Sequence, residues 1–145
     1  MEVVEFRTVE QDLGGRTIPA IVPHLSGVPL PELLRRIELP SARRDGQPEL
    51  AGGYAGLATG SVRWPARHYL GRPVLSAFGD GDTVLLGCGC GDWGCWPFSA
   101  RVTVADDTVT WSGYRNGHRD WDYRDLWDLT FDRTGYEEAV RATAR

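Results

Sequence analysis

Three cysteines lie within eight residues of one glycine-rich segment of this chain. Cys88, Cys90 and Cys95 follow a C-x-C-x4-C spacing, and glycine occupies positions 87, 89, 91 and 94 around them. Glycine lets a backbone turn tightly, so several sulfur atoms and several N–H groups can approach one point. Thiolates gathered in this way are ligands for Zn(II), which takes four donors, and for Cu(I), which accepts two or three sulfurs. The segment therefore predicts a zinc or copper(I) site.

A zinc site needs a fourth ligand, and His118 is the predicted one, with Asp92 as a poorer candidate. The spacing lacks the two-residue knuckle of common zinc fingers. It also lacks the C-x-H pair of SWIM-type zinc domains, because Trp96 and Pro97 follow Cys95. The match to known zinc modules is partial. The predicted metal ligands are Cys88, Cys90, Cys95 and His118.

Two other interpretations of the same cysteines stay open. In a thiol-dependent redox or nucleophilic enzyme, Cys90 or Cys95 would attack as a thiolate and the other would resolve the product. His118 could serve such a thiol as a base, oriented by Asp120 or Asp122. Alternatively, the cysteines are reduced and buried and do no chemistry, since Cys88 continues the apolar alternation of Val84 and Leu86.

The segment after the cysteines is rich in tryptophan. Five of the six tryptophans lie between residues 93 and 127, among arginines and aspartates. Aromatic residues and arginine are enriched at the centres of protein-binding surfaces, although indoles also pack cores and sheet edges. We therefore expect either core packing or a patch that binds another protein. The predicted patch comprises Trp93, Trp96, Arg119 and Trp121.

The charge composition excludes several classes of function. All 16 basic residues are arginine and none is lysine, which excludes Schiff-base chemistry, a P-loop lysine and a lysine-centred kinase site. The net charge is −4 and the arginines are dispersed, so no basic patch for nucleic acid is expected. The first residues lack a basic targeting region, and no apolar run is long enough to span a bilayer. We expect a cytoplasmic protein with reduced cysteines and no membrane partner.

The elements that position the cysteines are predicted from apolar periodicity. Residues 98–104 and 108–113 alternate around a turn at Asp106–Asp107, and residues 84–88 alternate before them. This pattern predicts a three-stranded antiparallel meander with the cysteines at one hairpin end. The predicted pairs are Val104–Val109, Val102–Trp111 and Ala100–Gly113, then Cys88–Phe98, Leu86–Ala100 and Val84–Val102.

The remaining chain predicts a second hairpin, loops and two helices. Residues 2–9 and 17–22 flank a turn signal, whereas residues 41–73 have no sustained period and are expected to be mostly loops. A helix is expected near residues 29–39, ended by Pro40, and a C-terminal helix is expected to be capped by Thr134 with Glu137. The fold class is α+β, an antiparallel β-meander sheet packed by these two helices. A length of 145 residues predicts a single globular domain over residues 1–145.

Three segments together resemble a group of small uncharacterised bacterial proteins. The segments are PELAGGYAGL at residues 48–57, GCGCGDWGCWP at residues 87–97 and FDRTGYEEAV at residues 131–140. This chain is similar to the proteins of that group in its GCxCGxxGCWP loop, and the resemblance covers most of the chain. It implies a stand-alone single domain and brings no activity, cofactor or catalytic residue with it.

Overall fold

Two antiparallel sheets form the framework of the computed structural model, which describes residues 1–144. The first sheet has the order β1-β2-β3, with β4 also paired to β2, and the second has the order β5-β6-β7-β8. The strands are β1 Val4–Leu13, β2 Arg16–Leu25, β3 Val28–Pro29, β4 Leu57–Ala58, β5 Thr83–Leu86, β6 Phe98–Val104, β7 Thr108–Asn116 and β8 Leu129–Asp132. The helices are α1 Leu30–Arg44, α2 Pro65–His68 and α3 Arg133–Arg141, with 3-10 turns at Pro48–Leu50, Trp93–Cys95 and Ala142–Ala144. This architecture confirms the α+β class. Within residues 1–144, no helix combines the length and apolar character that crossing a membrane requires.

The predicted first hairpin is confirmed and is longer than expected. Strands β1 and β2 pair along ten residues each, from Val4 opposite Leu25 to Leu13 opposite Arg16. The turn consists of Gly14 and Gly15, whose φ angles are +65° and +84°. Two consecutive positive φ values match the twist of the flanking strands, and glycine adopts them without strain.

In the second sheet, the register is partly as predicted. Val104 lies opposite Val109 and Val102 opposite Trp111, but Gly113 has φ +58° and the register shifts between Ser99 and Arg101. A bulge at this point replaces the predicted Ala100–Gly113 pair.

The predicted pairs between β5 and β6 are wrong. Leu86, rather than Cys88, lies opposite Phe98, and Val84 lies opposite Ser99. The reason is that β5 ends at Leu86, since Gly87 turns away to exchange backbone hydrogen bonds of 2.8 and 2.9 Å with Ala55. All three cysteines consequently lie in the loop beyond the strand.

Both helices differ from prediction at one boundary. Helix α1 continues through Pro40 to Arg44. Proline has no N–H to donate to the helix carbonyl group four residues before it. Because Pro40 is exposed, this carbonyl group can accept a hydrogen bond from water instead. Helix α3 begins at Arg133 because the carboxylate of Asp132, not the hydroxyl of Thr134, accepts the capping hydrogen bond, from Gly135 N–H at 2.9 Å.

Helix α3 closes the core by contacting β1, β7 and β8. Its Tyr136 is buried, donates its hydroxyl proton to the Tyr69 carbonyl group at 2.7 Å and accepts the Trp111 indole N–H at 3.1 Å. Phe6 of β1 packs against all three of these aromatic rings. The hydrophobic cluster is therefore shared by both sheets.

Candidate metal centre

The cysteine loop, defined as Gly87–Pro97, connects β5 to β6. A Cβ atom on Gly87 would lie 2.9 Å from Trp93, so only glycine fits where the chain leaves the strand. The Asp92 carboxylate then accepts the Gly94 N–H at 3.0 Å and caps the 3-10 turn that carries Cys95. These contacts fold the loop back on itself.

The folded loop gathers its three thiols. The Sγ atoms of Cys88, Cys90 and Cys95 all lie within 4.8 Å of one another, and all three cysteines are free. Cys88 is half-buried, whereas Cys90 and Cys95 are exposed. This exposure contradicts the alternative that all three thiols are buried packing residues. The arrangement is compatible with binding a metal ion.

The thiols also perturb one another's ionisation. Backbone hydrogen bonding at Asp92, followed by hydrogen bonding with Cys88, lowers the pKa of Cys90 below its ordinary value. Hydrogen bonds with Cys90 and Cys88, together with the negative charge of these two groups, raise the pKa of Cys95 to about 11. Cys90 therefore loses its proton at a lower pH than Cys95 does.

A second segment, remote in sequence, supports the loop. Gly14, in the β1–β2 turn, donates its N–H to the Gly89 carbonyl oxygen at 3.0 Å. A Cβ atom on Gly14 would lie 2.5 Å from the carbonyl oxygen of Cys90. The turn thus packs backbone to backbone against Gly89 and Cys90, in the part of the loop that carries the first two thiols. The cysteine motif gives no indication that Gly14 contacts the loop. The sequence signals only that Gly14 lies in a double-glycine turn.

His118 is not brought to the sulfurs. Within residues 1–144, the group of possible metal ligands that lie together contains the three cysteines alone. The Nε2 atom of His118 instead lies 3.3 Å from the Gly94 carbonyl oxygen, and its ring stacks on Trp96 with centroids 6.1 Å apart. These contacts engage the imidazole, and the role of His118 as the fourth ligand stays a prediction. The poorer candidate, Asp92, uses its carboxylate within the loop.

The predicted aromatic patch is assembled only in part. Trp96 is half-buried, and the Arg119 guanidinium group lies 5.2 Å from its ring centre. Trp93 is half-buried and lines a pocket of about 140 Å³ together with Gly94 and His118. Trp121, in contrast, is only 5% exposed and donates its indole N–H to Asp45 at 2.7 Å, so a partner could not reach its ring. Binding of another protein stays a prediction.

Sequence reasoning missed a buried polar cluster next to this region. Glu38 is fully buried and accepts hydrogen bonds from the hydroxyl groups of Tyr54 and Tyr123 and from the Gly52 N–H at 2.8 Å. Burial raises the pKa of Glu38, and these hydrogen bonds oppose that shift. Asn116 extends the cluster by donating to the Tyr54 hydroxyl at 2.9 Å. A signal was present, since Glu38 follows Leu30 and Leu34 at four-residue intervals on the buried face of α1.

No family model, no curated protein and no solved structure matches this chain. The geometry of the three clustered thiols is therefore the basis for inferring the function.

Proposed function

We propose that this protein is a small metal-binding module in which Cys88, Cys90 and Cys95 hold one soft metal ion, Cu(I) or Zn(II). The observation that carries the proposal is the mutual approach of the three Sγ atoms to within 4.8 Å. In a tetrahedral site with Zn–S bonds of about 2.3 Å, neighbouring sulfurs lie roughly 3.8 Å apart. A small adjustment of the glycine-rich loop would reach that spacing.

The number of donors favours Cu(I) over Zn(II). Three thiolates complete a trigonal Cu(I) site, whereas zinc in a structural site is almost always four-coordinate. His118, the predicted fourth donor, is engaged by Gly94 and Trp96. A zinc ion would consequently take its fourth ligand from water or from another molecule.

Metal titration of the reduced protein tests the proposal. Competition with a chelator should give one Cu(I) per chain, and Cys90→Ser should weaken that binding by at least about tenfold. His118→Ala is the matched control, because it removes the predicted fourth ligand and should leave Cu(I) affinity unchanged. Protein that binds neither Cu(I) nor Zn(II) at one equivalent would contradict the proposal.

The environment of Cys90 favours a second candidate, a thiol-dependent redox protein. Cys90 is exposed, its pKa is lowered, and two other thiols lie within 4.8 Å of it to resolve a mixed disulfide. Such a protein should react with an aromatic disulfide reagent far faster through Cys90 than through Cys95. Equal reactivity of Cys90→Ser and Cys95→Ser variants would count against this candidate.

A further inference from the structure

The cluster of three thiols offers three donor atoms, and the number of donors determines which ions the cluster can bind. No fourth histidine, cysteine or acidic residue joins the sulfurs within residues 1–144. A site of this kind is complete for an element that forms three bonds and keeps a lone pair in the fourth direction. Trivalent arsenic has this valence and is strongly thiophilic.

We propose that Cys88, Cys90 and Cys95 bind trivalent arsenic, presented as arsenous acid, as a three-sulfur adduct. The inference rests on the proposed function, since it uses the same three thiols, and it names an additional class of ligand for them. Trivalent antimony shares the chemistry.

The charge of the loop supports a trivalent ligand. Three thiolates carry three negative charges, so Cu(I) would leave two of them uncompensated, Zn(II) one and As(III) none. The loop adds a further negative charge through Asp92. No residue of Gly87–Pro97 forms a salt bridge in the part of the chain that the structure describes. A neutral adduct avoids concentrating unpaired negative charge at one point.

The exposure of the thiols lets arsenous acid reach them from solvent. The reaction needs no further reactant. Cys90 and Cys95 face solvent, and Cys88 lies half-buried beside them. Each of three As–O bonds breaks and an As–S bond replaces it, while the thiol proton leaves with the hydroxide as water. The balance is As(OH)3 + 3 RSH → As(SR)3 + 3 H2O, in which nothing is oxidised or reduced.

The folded chain also lowers the entropic cost of the third bond. The Gly14–Gly89 hydrogen bond and the Asp92 cap hold the loop in the conformation that gathers the sulfurs. Thiols held in place bind the second and third valences as intramolecular events, which strengthens binding by about 10²–10⁴-fold for linked sites.

A comparison of two arsenicals tests the inference on the reduced full-length protein. Arsenite offers three valences, whereas phenylarsine oxide offers two and needs only two thiols. The wild-type protein should bind one arsenite. Each of Cys88→Ser, Cys90→Ser and Cys95→Ser should weaken arsenite binding by at least about 100-fold and should change phenylarsine oxide binding by less than about tenfold. His118→Ala should change neither.

The outcomes separate this inference from the proposed function. If any single Cys→Ser variant binds arsenite as tightly as the wild type, only two thiols act and the inference is overturned. If the wild type binds Cu(I) but not arsenite, the inference fails while the proposed function stands. If it binds neither Cu(I), Zn(II) nor arsenite, both fail. Circular dichroism shows whether each variant is folded, and retained phenylarsine oxide binding shows that its two remaining thiols are still adjacent.

Discussion

The cysteine loop and the Glu38 cluster are both dense in polar atoms, yet the fold treats them in opposite ways. Glu38 is fully buried, and its carboxylate accepts three hydrogen bonds from within the chain. Cys90 and Cys95 are exposed, and the three thiols meet with no fourth donor among residues 1–144. A buried polar group must be satisfied when the chain folds, whereas donors at an accessible rim stay available to a ligand. The first cluster therefore has its polar atoms satisfied within the chain, whereas the second leaves its sulfurs available to a ligand.

The largest effect should come from removing the buried acceptor. Glu38→Ala leaves the Tyr54 and Tyr123 hydroxyl groups and the Gly52 N–H without their acceptor, which should lower the free energy of unfolding by about 4 kcal/mol. Glu32→Ala, an exposed position on the same helix, is the control and should cost at most about 1 kcal/mol. Urea unfolding of both variants measures the difference. Equal losses in the two variants would show that the Glu38 cluster does not stabilise the fold.

Stability should also fall on mild acidification, because His68 is buried and neutral. Its Nε2 donates to the Val84 carbonyl oxygen at 2.7 Å, and its Nδ1 accepts the Val74 N–H at 3.1 Å. Burial lowers the pKa of His68 to about 4 from the ordinary value of 6.5. The unfolded chain therefore gains this proton first, and unfolding becomes easier as the pH falls from 6.5 towards 4, by about 3 kcal/mol in total.

Urea unfolding at several pH values checks this dependence. His68→Gln lacks the titrating group and should flatten the profile between about pH 7 and pH 4.5. His118→Gln removes an exposed histidine and should leave the slope unchanged. A wild-type slope that survives in His68→Gln would show that another group is responsible.

The two glycines of the β1–β2 turn provide a matched pair for the support of the loop. Both have positive φ angles, but a Cβ atom at Gly14 meets Cys90 at 2.5 Å, whereas one at Gly15 meets nothing within 4 Å. Gly14→Ala should be less stable than Gly15→Ala by about 2 kcal/mol because its methyl group overpacks the contact. It should also lose at least about tenfold in Cu(I) affinity. Equal affinities in the two variants would show that the turn does not position the thiols.

The smallest effect is expected at the thiols themselves. Cys90 is exposed and its side chain packs against no core cluster, so Cys90→Ser should change the stability of the metal-free protein by no more than about 0.5 kcal/mol. Thermal unfolding in the presence of a chelator measures this. A loss comparable to that of Glu38→Ala would mean that the loop is part of the core after all.

Local patterns predicted the parts of this molecule that depend on neighbouring residues. Alternation placed Val102 opposite Trp111, and glycine spacing indicated that the thiols would meet. The failures have long-range causes. Gly87 ends β5 by pairing with Ala55, and this contact moved the register away from prediction. His118 lies outside the group of sulfurs, and its ring contacts Gly94 and Trp96, which are tertiary contacts that the sequence pattern does not reveal.

The hydrogen bond between Gly14 and Gly89 joins residues that are 75 positions apart in the sequence (89 − 14). A synthetic peptide covering residues 86–98 would carry every sulfur and still lack the contact that arranges them. The arrangement of the three sulfurs is therefore a property of the whole fold, and truncation that removes the first hairpin should abolish it while leaving all three cysteines in place.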